Sequence, residues 1–150
     1  MKVLSLHASL LRGFPRPELE SAELVVGQGI RHDRKAGKRQ NRAVLLIGQN
    51  TYDHLKNIGL DLPHGALGEN MVLDFDPHLL EPGTKLRVGN SLLEISLYCR
   101  PCKTLRERYG QDFPQRLGKR RGMLAKVLEG GMVCSGDPVE VLQIRGQGAG

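Results

Sequence analysis

Glycine and proline interrupt this chain so often that it can fold only as short segments joined by turns. There are 19 glycines and 8 prolines in 150 residues. Glycine supplies turn conformations closed to other residues, and proline withholds a backbone donor, so such punctuation favours brief strands over long helices. Tryptophan is absent and aromatic residues make up 4 %. The core must therefore be built from Leu, Val and Ile. Hydrophobic residues at 39 % and charged residues at 25 % exclude a disordered chain, and the length suits one domain with a real core.

Read segment by segment, strands are expected over 2–7, 22–26 and 43–47, the last a continuous apolar run fit for a buried strand. The stretches 84–88 and 91–97 alternate polar with apolar around Gly89-Asn90, a two-residue hairpin signal. A second hairpin is expected at Gly130-Gly131, between 122–128 and 132–134, and 138–142 closes the domain. Helices are expected at 50–57, capped by Asn50 with Gly59 beyond its end, and at 102–109, ended by Gly110. That amounts to about seven strands with two or three short helices, the pattern of a mainly β barrel or folded sheet. The domain is expected to span 1–145, with 146–150 a frayed tail. A faint echo links Gly83–Gly89 to Gly136–Val141.

The opening run Val3–Leu11 holds His7 and two serines, and no small-residue cleavage site follows, so it reads as a strand rather than a secretory leader. No segment reaches membrane-spanning length. An odd cysteine count without a leader points to a reducing cytoplasm. The net charge of +6 calls for an anionic ligand or partner. Nucleic acid is one such partner, but six Phe and Tyr residues are few for stacking bases. A phosphorylated cofactor requires the same positive charge.

Two of the three cysteines form one unit, Cys99-Arg100-Pro101-Cys102, followed by Lys103. Arg100, Lys103, Arg106 and Arg108 surround it, and positive charge favours the thiolate. Structural zinc needs four ligands, usually two spaced pairs, and neither Cys134 nor any histidine completes a second pair. A thioredoxin-like dithiol is suggested by the motif but not by its place, because that fold puts it early, after a βαβ start. A third reading is a nucleophilic or sulfur-carrying thiol, Cys102, at the start of a helix. The alternatives to it are an RNA- or nucleotide-binding β-barrel without catalysis and dithiol exchange between Cys99 and Cys102. Cys134 is left as a bystander.

Several blocks together resemble a known family. Gly29–Gly37 followed by Arg42–Ile47 is similar to the opening block of MOSC domains, named for the C-terminal domain of molybdenum-cofactor sulfurase. Gly65-Ala66-Leu67-Gly68-Glu69-Asn70 resembles the family's Gly-Glu-Asn segment, and Pro101-Cys102 falls where it places its cysteine. Arg121–Val127, Gly130-Gly131 and Gly136-Asp137 are similar to its closing block. The resemblance covers roughly residues 1 to 143. It implies a single-domain MOSC-type β-barrel, acting with the molybdenum cofactor, a phosphorylated pterin dithiolene (molybdopterin) that holds the metal. It further implies that Cys102 takes sulfur as a persulfide from a pyridoxal-phosphate cysteine desulfurase and passes it to a molybdenum enzyme or the cofactor. Some relatives instead reduce N-hydroxylated compounds. The chain departs from the family at His32-Asp33-Arg34-Lys35, where Gly-Asp-x-His is common, and Cys99 has no family role.

These readings give Cys102, Asp33 and Glu69 as candidate catalytic residues. Arg34, Arg42, Asn70, Arg100 and Lys103 are the cofactor-binding candidates, and no protein metal ligands are expected. Glu69 suits a general acid or base and Asn70 a ligand amide; equally, both suit backbone bonds within a turn made by Gly68. Asp33 and Arg34 are expected to form an ion pair bracing their loop. Lys38, Arg39 and Arg42 with Arg100, Lys103 and Arg106 would cradle an anion if their loops meet. Lys119-Arg120-Arg121 reads as a solvated basic face, and His54 and His78 as surface histidines.

Overall fold

A computed structural model describes residues 1–10, 15–34, 43–100 and 103–143. Cys102, Lys38, Arg39, Arg42 and the 146–150 tail lie outside the described residues. In chain order the strands and helices are β1 (Val3–His7), β2 (Glu18–Leu19), β3 (Ser21–Val25), β4 (Gly29–Ile30), β5 (Val44–Gly48), α1 (Gln49–Asn57) and β6 (Met71–Leu73). They continue with β7 (Lys85–Val88), β8 (Ser91–Tyr98), α2 (Lys103–Tyr109), α3 (Phe113–Leu117), β9 (Met123–Glu129), β10 (Gly131–Cys134) and β11 (Val139–Gln143). The fold is mainly β, as the punctuation predicts.

Eight strands form a mixed sheet in the order β11-β7-β8-β9-β5-β6-β1-β2, and β10-β3-β4 form a small antiparallel one. The large sheet does not close into the expected barrel. Its two ends meet at one bridge, Lys2 to Pro138, flanked by bonds from Val3 N to Asp137 O and Val139 N to Met1 O, both 2.9 Å. Among the described residues no ladder joins β1 to β11, so the sheet stays open.

Strand β5 shows why the fold is layered. It pairs antiparallel with β9 and parallel with β6, and all five of its residues are buried. Side chains alternate across a strand, so one continuous apolar run feeds two cores. Val44 and Leu46 face one core with Met71, Met123 and Ala125; Leu45 and Ile47 face another with Val72 and Leu124. The second core lies under the helices. Leu105, Phe113 and Leu117 are each 0 % exposed there, and burying a Leu or Phe side chain is worth roughly 1.5–3 kcal/mol.

Two local expectations are corrected. Helix α1 begins at Gln49 with Gly48 as its N-cap, so Asn50 lies inside the first turn and caps nothing. A side chain at Gly48 would strike Asn50 Oδ1 and the Phe75 carbonyl, which reserves that corner for glycine. Gly130-Gly131 does not turn a hairpin: β9 runs into β10, which pairs with β3 in the other sheet. A Cβ on Gly130 would lie 2.6 Å from the Leu24 carbonyl, so the glycine serves a close backbone approach. Helix α3 is the third of the two or three short helices expected, at a segment not singled out in the sequence. Pro114 is tolerated in its first turn, and Phe113 and Leu117 share one buried face.

The Gly89-Asn90 hairpin forms as expected, and the structure adds a pairing between the two echoed segments. Val88 pairs with Ser91 across Gly89-Asn90, with Gly89 at φ +54°. The echoed segments are neighbours, β11 pairing antiparallel with β7.

Candidate functional site

Loop 65–70 precedes β6 and carries Glu69 and Asn70 into the interior at 0 % and 4 % exposure. Glu69 Oε2 accepts from the Tyr52 hydroxyl of α1 and from Gly65 N (2.9 Å), while Oε1 accepts from Leu67 N (3.2 Å). Burial, then the Glu69 carboxylate, pushes the Tyr52 phenol far above its ordinary value. Asn70 Oδ1 accepts from Leu45 N (3.0 Å), and Nδ2 donates to His7 O (3.1 Å) and to Asp33 Oδ2 (3.3 Å). Asp33 Oδ2 also accepts from Ser9 N (2.9 Å). Asn70 thus ties β1, β5 and the Asp33 turn into one node, and both amide groups are spent on it.

The cysteine segment lies elsewhere, at the far end of β8. Tyr98 pairs with Met123, and Cys99 N donates to Gly122 O (3.0 Å). Gly122 N in turn donates to His78 Nε2 (2.9 Å), which leaves the ring hydrogen on Nδ1 to reach Asp76 Oδ1 (2.8 Å). The His78 ring meets the Tyr98 ring at a tilt of 50°, with centroids 5.5 Å apart. His78 is therefore a strut of the cysteine corner, not the surface histidine expected.

Arg121, beside Gly122, overturns a second expectation. It is 4 % exposed rather than solvated. Its Nε and Nη1 are buried without a hydrogen-bond partner, and it makes no ion pair among the described residues. A buried guanidinium without a counter-ion is costly. Its charge reaches Tyr98, where it opposes the upward push that burial gives the phenol. Such an orphan suits an anion.

The other expected residues are divided between these regions. Cys99 is half-buried at the end of β8, and Cys134 is an exposed free thiol. Arg34 and Arg100 are exposed. Lys103 is exposed and pairs with Glu107 at 3.6 Å. Cys102 and Arg42 lie outside the described residues. Asp33 and Asn70 are joined directly, and Glu69 adjoins them. Arg34 joins them through its backbone, its N–H donating to Ser9 O (2.8 Å), whereas among the described contacts none brings Arg100 or Lys103 there. One link between the regions is α2, whose Tyr109 hydroxyl donates to Ala66 O (2.8 Å); another is α1, whose Thr51 hydroxyl donates to Arg120 O (2.6 Å). No group of three or more His, Cys, Asp or Glu among the described residues is placed to hold a metal, and no helix is long and apolar enough to cross a membrane.

A mixed sheet with three described helices, carrying a buried Gly-Glu-Asn loop and Cys99 at a strand end, has a MOSC-like architecture. The MOSC domain model matches residues 32–140, and the chain belongs to that family. Comparison with curated protein sequences gives no match. Among solved structures, the YuaD protein of Bacillus subtilis superposes with a TM-score of 0.80 at 19 % identity, covering 93 % of this chain and 94 % of that one. YiiM of Geobacillus stearothermophilus gives 0.80 at 18 % identity, covering 99 % and 77 %. YiiM of Escherichia coli gives 0.72 at 20 %, covering 95 % and 70 %. These likenesses establish the fold.

Proposed function

We propose that the protein binds the molybdenum cofactor or a similar phosphorylated pterin at the cysteine corner, and that Cys102 carries sulfur there as a persulfide. The observation that carries this reading is the buried, unpartnered guanidinium of Arg121, one residue from the strand bond that holds Cys99. A phosphorylated ligand brings the anion this site lacks, and arginine's planar fork matches it. The dithiolene-held metal would supply the position that accepts sulfur.

The chain's own residues prepare the thiol. Lys103, Arg106 and Arg108 follow it on α2, and their charge favours the thiolate. The Cys102 thiolate attacks the outer sulfur of the persulfide on a pyridoxal-phosphate cysteine desulfurase. A new S–S bond forms on Cys102, the donor's S–S bond breaks, and the donor cysteine leaves as a thiolate. For delivery, the thiolate of a thiol reductant attacks Cys102 Sγ: a mixed disulfide forms, the bond to the outer sulfur breaks, and that sulfur leaves with its proton as hydrosulfide for the acceptor. Asp33, Asn70 and Glu69 hold the neighbouring loops in place while this occurs.

The test is intact-mass measurement after incubation with cysteine and a cysteine desulfurase. One additional sulfur, released by dithiothreitol, kept by Cys99→Ser and Cys134→Ser and lost in Cys102→Ser, is the expected result. Absence of that sulfur, or its presence on Cys134, overturns the carrier role.

A further inference from the structure

Where β1 pairs with β6, its register shifts between Val3 and Ser5. Beyond that bulge the alternation sends Leu6 into the core and turns Ser5 and His7 to the opposite face. Both are buried, at 1 % and 2 % exposure. Four hydrogen bonds then run in series. His7 Nδ1 meets Arg16 O (3.1 Å), His7 Nε2 meets Ser5 Oγ (3.0 Å), Ser5 Oγ meets His64 Nδ1 (2.9 Å), and His64 Nε2 meets Gln49 Oε1 (2.8 Å). A Cβ on Gly65 would lie 2.9 Å from His7 Nδ1, so this glycine is what lets the loop come so near.

Counting hydrogens shows a shortage. Both ends of the series are carbonyl oxygens, which only accept. The Gln49 amide cannot be reversed, because its Nε2 donates to Asp53 Oδ1 (3.1 Å). His7 must therefore donate through Nδ1 and His64 through Nε2. Each neutral imidazole has one ring hydrogen, and both are now used. The two inner nitrogens share the single hydroxyl hydrogen of Ser5. One buried N···O contact is then left as lone pair against lone pair, which is unfavourable. One added proton satisfies all four bonds.

We infer that His7, Ser5 and His64 form a proton-holding site, which keeps one proton beyond the neutral complement of its two rings and serves as counter-charge to Glu69. The buried Glu69 carboxylate is bonded to Tyr52, whose ring lies 5.1 Å from that of His64. Burial draws His64 below its ordinary value and a charge on His7 acts the same way; Glu69, Glu18 on β2 and Asp53 on α1 act against them. Arg16 adds a cation nearby. The site forms one wall of an open cleft of about 500 Å³, with Arg16, Glu18 and Pro63 also lining it. The held proton makes that wall positive, and raising the pH discharges it.

Nitrogen-edited NMR of the histidine rings in the full chain tests this. At about pH 7, hydrogens are expected on three of the four ring nitrogens of His7 and His64. Gln49→Ala frees His64 Nε2 from having to donate, at a half-exposed position that leaves the core intact. It should make the third proton easier to remove by about one pH unit, a tenfold change in proton affinity. Ser5→Ala should act in the same direction by removing the shared hydroxyl. Two ring hydrogens in the native chain, one per imidazole, with an unchanged titration in Gln49→Ala, overturn the inference.

Discussion

Loop 65–70 and the cysteine corner treat buried polar groups in opposite ways. Glu69 and Asn70 have their oxygens and amide hydrogens engaged by Tyr52, Gly65, Leu67, Leu45, His7 and Asp33. Arg121 has a buried cation and, among the described residues, nothing to answer it. A saturated network is a scaffold, since no capacity remains for a ligand; an unsaturated one is where a ligand gains most. The difference is what the proposed function rests on: there the Gly-Glu-Asn loop builds and the corner recognises.

The largest effect should come from cutting the saturated side. Glu69→Ala strands the Tyr52 hydroxyl and two backbone N–H groups, and should cost about 3–5 kcal/mol in denaturant unfolding. A cost below about 1 kcal/mol would break the contrast. Arg121→Leu should have the opposite sign: removing an uncompensated buried charge stabilises the ligand-free protein by about 1–3 kcal/mol. If it destabilises instead, the guanidinium already has its partner.

The tyrosines sharpen the contrast through pH. Burial raises all three phenols, with Glu69 also acting on Tyr52 and Arg108 opposing the shift at Tyr109. Each folded-state value stands above its unfolded one, so the associated stability is intact below about pH 10 and is lost as pH rises further. Phenolate absorbance should therefore appear late, with Tyr52 ionising only as the protein unfolds; early ionisation of all three would contradict its burial against Glu69. The smallest effect is expected at Lys103→Ala. Its exposed pair with Glu107 is worth about 0.5 kcal/mol or less in the same unfolding measurement.

Much of the fold was legible where local chemistry decides it. Gly89-Asn90 turned as expected, and the apolar run at 43–47 became the doubly buried β5. Gly130-Gly131 misled because glycine serves both tight turns and close approach, and only the partner, the Leu24 carbonyl, distinguishes them. The Gly65–Asn70 block was legible as a unit, yet its saturation depends on His7, Leu45 and Tyr52, far away in sequence. Arg121 was misread for the same reason. A basic triplet looks solvated until β8 and β9 pair and Gly122 packs against the Leu46 carbonyl. The Ser5–His7 spacing was visible, but its meaning required His64 to arrive from another loop.

The most direct measurement is retention of molybdopterin through gel filtration at low salt, comparing the native chain with Arg121→Leu. The native chain should carry the pterin in stoichiometric amount, and the variant, at least as stable when empty, should lose it. Equal retention by both would contradict the assignment of recognition to the cysteine corner.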